Sequence, residues 1–104
     1  MVKHIVMWNL AGDTKEDRRT AAQFLRSRFE ELRGEVPGLL HLEVGLDHSR
    51  VDHACDVVLY TEFESQEALE AYATHPAHLR VKGELGKMRI ARFQVDYAVT
   101  AGVL

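Results

Sequence analysis

Residues 2–10 read Val-Lys-His-Ile-Val-Met-Trp-Asn-Leu, VKHIVMWNL, and the two faces of this run decide the fold. It is rich in β-branched and aromatic residues and stops at Ala11-Gly12, the pattern of a β-strand. Val6 and Trp8 point to one side, Ile5 and Met7 to the other. A strand that is apolar on both faces has to be covered on both. Residues 56–63, DVVLYTEF, have the same character.

The segments around these two strands supply one cover. Asp13 can cap a helix, with Glu16 three residues later completing a capping box. Ala22, Leu25, Phe29 and Leu32 then recur at spacings of three and four, one apolar stripe on a long helix that ends near Gly34. Val36-Pro37-Gly38 is a turn. In residues 39–47, LLHLEVGLD, Leu40, Leu42, Val44 and Leu46 alternate with His41, Glu43 and Gly45, which predicts a half-buried strand. HSRVDHA is a polar loop. Ser65 suits the N-cap of a second helix carrying Ala68, Leu69 and Tyr72. That helix has to stop near Thr74, because the residue before a proline avoids helical backbone. Pro76 fits the first turn of a further short helix, which runs toward Gly83 or Gly86. Residues 88–99 alternate again, with Phe93, Val95, Tyr97 and Val99 on one face and Arg92, Gln94 and Asp96 on the other.

The order is β-α-β-β-α-β with the second helix broken in two. This is an α+β, ferredoxin-like plan, an antiparallel sheet with its helices on one face. The helices leave the other face bare, and its apolar side chains would form a patch that monomers rarely expose. The sequence therefore predicts a homodimer packed sheet face to sheet face.

Size and composition set outer limits. The 104 residues fit a single domain spanning 1–104, with 46% hydrophobic residues and a net charge of −3 from 13 basic and 16 acidic side chains. That balance is not the footprint of a nucleic-acid binder. The basic residues between Lys15 and Arg33 alternate with Asp17, Glu30 and Glu31, as on a solvated helix face. The single cysteine, Cys55, permits no internal disulfide and reads as a small buried hydrophobe. No run is long and apolar enough for a membrane span, and no signal-peptide pattern opens the chain, so the expected location is cytoplasmic.

One stretch carries chemistry. Residues 72–78, YATHPAH, place Tyr72, His75 and His78 around a proline. A histidine against an apolar wall can act as a general base. A tyrosine hydroxyl can donate to a developing oxyanion. The expected roles are His78 as base and Tyr72 as donor, with His75 and His4 orienting or capping the site. A plainer reading stands beside this one: Tyr72 continues its helix's apolar stripe, and His75 caps the short helix. Asp47, His48, Asp52 and His53 in the polar loop, and His75 with His78, are the only metal-ligand candidates. The loop is solvated and Pro76 disturbs the helical register between the two histidines, so no metal and no cofactor is expected.

VKHIVMWNL, VPGLLHLEVG, FESQEALEAYATHPAH and FQVDY together resemble the stress-responsive A/B barrel family, often called Dabb, from about Val2 to Tyr97. The resemblance implies a dimeric α+β barrel. One branch of that family, typified by the plant olivetolic acid cyclase, closes a polyketide without a cofactor. The positions here that match its catalytic pair and cleft histidine are Tyr72, His78 and His4. The segment LRVKGELG departs from that branch, with Lys82 in place of a cleft glycine. The implied pocket lies between sheet and helices, lined by His4, Val6, Trp8, Leu59 and His75, and takes a small keto or aromatic ligand. Three functions follow: a ligand-binding stress-responsive protein, a cofactor-free cyclase or lyase using Tyr72 and His78, and, by fold analogy alone, a cofactor-free monooxygenase.

Overall fold

The computed structural model describes residues 1–100. The elements are β1 (Val2–Leu10), α1 (Lys15–Glu30), β2 (Leu39–Leu46), β3 (Val57–Phe63), α2 (Gln66–Ala73), α3 (Pro76–Leu85) and β4 (Arg89–Ala98). The strands form one antiparallel sheet in the order β2-β3-β1-β4. This is the ferredoxin-like arrangement the sequence predicts, and the helices cover one of its faces.

Alternation explains the covered face. Val6, Trp8 and Leu10 of β1 and Val57, Leu59 and Phe63 of β3 are buried against Leu25 and Phe29 of α1, Leu69 of α2 and Val81 of α3. Trp8 stacks on Phe29 with ring centres 5.5 Å apart. Leu32 lies just past the end of α1 but is fully buried, so the apolar stripe outlasts the helix. The opposite sheet face carries Ile5, Met7, Val58, Phe93, Val95 and Tyr97. There Phe93 is 52% exposed and Val95 50%.

Three local details differ from the sequence expectation. The cap of α1 is Thr14 rather than Asp13: the Thr14 hydroxyl accepts from the Asp17 N–H at 3.0 Å. Leu40 does not share a face with Leu42. Leu39 pairs with Phe63 and His41 with Glu62, so Leu40 is bulged out of register and lies 57% exposed. Cys55 is half-buried in the loop before β3.

The break between α2 and α3 forms where Pro76 requires it. His75 is the N-cap of α3 and Pro76 its first residue. Gly38 holds the turn before β2 at φ 81°, and a Cβ there would lie 2.6 Å from the Ala68 Cβ of α2. This close approach of turn and helix requires glycine. Among the described residues no helix is long and apolar enough to cross a membrane.

Candidate functional site

Tyr72 lies in the last turn of α2 with its ring buried, and His78 lies in the first turn of α3. The two rings stack at 4.1 Å between centres, 29° from parallel. The proline break brings them together: it turns the chain so that residues six apart face the same space. The His78 Nδ1–H donates to the Ala73 carbonyl at 3.3 Å, which leaves Nε2 with its lone pair. Burial holds the proton affinity of His78 below that of a free imidazole. The Ala73 carbonyl opposes this effect and the Lys82 charge adds to it. Burial also pushes the Tyr72 phenol well above its ordinary range, against the pull of Arg92, so this hydroxyl stays a donor.

His4 rises from β1 beneath this pair, with its ring centre 6.1 Å from that of Tyr72, edge to face. Antiparallel register sets His4 opposite Asp96 of β4. The His4 Nδ1–H donates to Asp96 Oδ1 at 2.6 Å, and the Gln94 amide donates to Asp96 Oδ2 at 2.9 Å. The carboxylate is thereby held on both oxygens, and the imidazole is fixed with Nε2 free of any protein partner among the described residues. Thr61 anchors the backbone below by donating its hydroxyl to the His4 carbonyl at 2.7 Å.

These groups line one cleft of about 720 Å³ between the sheet and α2–α3, with Val6, Trp8 and Leu59 forming its apolar floor. Two polar atoms stand out there. The Trp8 indole N–H and the Tyr72 hydroxyl are buried, each on a residue only 3% exposed, and neither has a hydrogen-bond partner in the protein. A buried donor left unpaired costs about 1–3 kcal/mol, so an oxygen acceptor delivered to either is favoured.

Of the residues expected at the site, Tyr72, His78, His4, Val6, Trp8 and Leu59 line the cleft. His75 does not. Its Nδ1 accepts from the Ala77 N–H at 3.1 Å, so it caps α3 and leaves the ligand side. Asp96, Gln94, Arg89, Arg92 and Glu70 also border the cleft without having been expected there. The alternation of β4 groups Arg92, Gln94 and Asp96 on one face, but only the sheet order turns that face toward His4. The loop acids lie elsewhere: the Asp47 carboxylate accepts from the N–H groups of Ser49 and Arg50 and from the Ser49 hydroxyl. Among the described residues, no three His, Cys, Asp or Glu side chains converge as metal ligands.

The family model described as the stress responsive A/B barrel domain matches residues 2–99, and the chain belongs to this family. No curated protein matches the sequence. Among solved structures, a dimeric protein of unknown function with a ferredoxin-like fold from Bacteroides fragilis is similar, with a TM-score of 0.83 and 29% identity. The match covers 94% of this chain and 95% of that one. A Dabb family protein from Mesorhizobium loti has a TM-score of 0.73 at 18% identity, covering 96% and 97% of the two chains. The hydroxynitrile lyase of Passiflora edulis has a TM-score of 0.77 at 13% identity, covering 99% and 96%. The last two likenesses are of fold alone.

Proposed function

We propose that the chain binds a small keto or aromatic compound in the cleft and acts on it as a cofactor-independent lyase or cyclase, assembled as a homodimer through the bare sheet face. The observation that carries this reading is the buried, unpartnered Tyr72 hydroxyl stacked on a histidine whose Nε2 is free. In the step envisaged, His78 Nε2 takes a proton from the carbon beside a carbonyl. The electron pair moves onto the carbonyl oxygen, and the Tyr72 hydroxyl donates to the enolate that forms. His4, steadied by Asp96, serves as a second proton carrier. The hydroxynitrile lyase of Passiflora edulis gives an example of lyase chemistry on this architecture. The family's description as stress responsive names a circumstance rather than a reaction.

The assay is hydrogen–deuterium exchange at the α-carbon of small ketones and keto acids in deuterated buffer, followed by proton NMR. The wild type is expected to exchange well above the buffer rate. His78→Ala and Tyr72→Phe should lose on the order of 100-fold while keeping native circular dichroism. Exchange that survives both substitutions, or that the wild type never shows across such a panel, would reject the catalytic reading.

A further inference from the structure

The cleft has a floor and a rim of different chemistry. The floor offers the neutral donors Trp8 Nε1–H and Tyr72 O–H. The rim carries Lys82 of α3 and Arg89 and Arg92 of β4. Among the described residues none of these three cations has a carboxylate within 4.0 Å, and none makes a side-chain hydrogen bond, whereas six other arginines of the chain are engaged with acids or backbone carbonyls. Two carboxylates also border the cleft. Asp96 is already held by His4 and Gln94, which leaves Glu70 of α2 as the counter-charge.

We infer that the preferred ligand is an organic carboxylate, seated with its acid group against Lys82, Arg89 and Arg92 and with a carbonyl or phenolic oxygen on the Trp8 and Tyr72 donors. Guanidinium groups hold carboxylates by paired, charge-assisted hydrogen bonds, stronger than those between neutral groups. An apolar body between the two ends fits against Val6 and Leu59 of the floor. The rim also reaches the floor electrically: the Lys82 charge bears on His78 and the Arg92 charge on Tyr72. Arg89 loses proton affinity through burial and through the neighbouring Arg92 charge, a crowding that a bound anion relieves. This inference rests on the small-molecule reading of the cleft and adds the charge of the ligand.

Trp8 is the only tryptophan, so the single indole N–H signal in a proton–nitrogen NMR spectrum reports on the cleft floor. The probes are 3-benzoylpropionate and its uncharged methyl ester, titrated separately into the full chain. The acid is expected to shift the Trp8 indole signal and to bind on the order of tenfold more tightly than the ester, the worth of one charge-assisted hydrogen bond. In Arg89→Gln/Arg92→Gln that preference should fall to about twofold or less, with the ester unaffected. If acid and ester bind the wild type equally, the cleft takes small molecules but the carboxylate inference is wrong. A preference that persists in the double variant also overturns it. If neither compound moves the indole signal at millimolar concentration, the inference falls together with the small-molecule reading.

Discussion

His4 and His78 are held by different partners. His4 is tied to a carboxylate, whereas His78 is bound to a backbone carbonyl and half-buried beside a lysine charge. The folded protein binds a proton at His78 less readily than the unfolded chain, whose histidine titrates near about 6.5. Stability from this group is therefore complete above that pH and is lost as pH falls through the depressed folded value. Melting temperatures between about pH 8 and 5 should fall less steeply for His78→Gln than for the wild type. Equal slopes would show that His78 is not held neutral. The meeting of Tyr72 and His78 was legible because only five residues, a proline among them, lie between the two, and helix geometry does the rest. Asp96 was not, since it lies 92 residues from His4 and only strand register unites them. The capping role of His75 was legible too, because a histidine directly before a helix-opening proline stands at the N-cap position.

At the scale of elements, the apolar alternation of the strands and the stop at Pro76 were readable because they depend on local geometry alone. The bulge at Leu40 was not: unbroken alternation in LLHLEVG hides a pairing shift that exists only against β3. The shift from Asp13 to Thr14 as helix cap is of the ordinary one-residue kind, two adjacent residues being chemically able to cap. The turn at Gly38 matters more, because it fixes where β2 leaves and where α2, the bearer of Tyr72, packs. Gly38→Ala would combine a left-handed backbone with overlap against Ala68. It should destabilise by about 2 kcal/mol or more, lowering the melting temperature on the order of 10 °C. A melt within a degree or two of wild type would mean that the turn and α2 move apart freely.

For the whole molecule, the bare sheet face was foreseeable from β1 and β3 alone, each apolar on both sides. Val95→Glu places a charge in the middle of that face, beside Ile5, its pairing partner on β1. Sedimentation should find the wild type dimeric at micromolar concentration and the variant monomeric, with a wild-type melting temperature that rises with concentration. A variant that remains dimeric would place the contact on another surface. The alternation of β4 has a last consequence. Its odd-numbered residues, Phe93, Val95 and Tyr97, face the proposed partner, while Arg92, Gln94 and Asp96 face the cleft, so one ribbon of backbone serves as wall to both. If a ligand on one side stiffens the ribbon that a partner grips on the other, linkage requires each to strengthen the other by the same factor, and dilution then acts as a competitive inhibitor would, without touching the cleft.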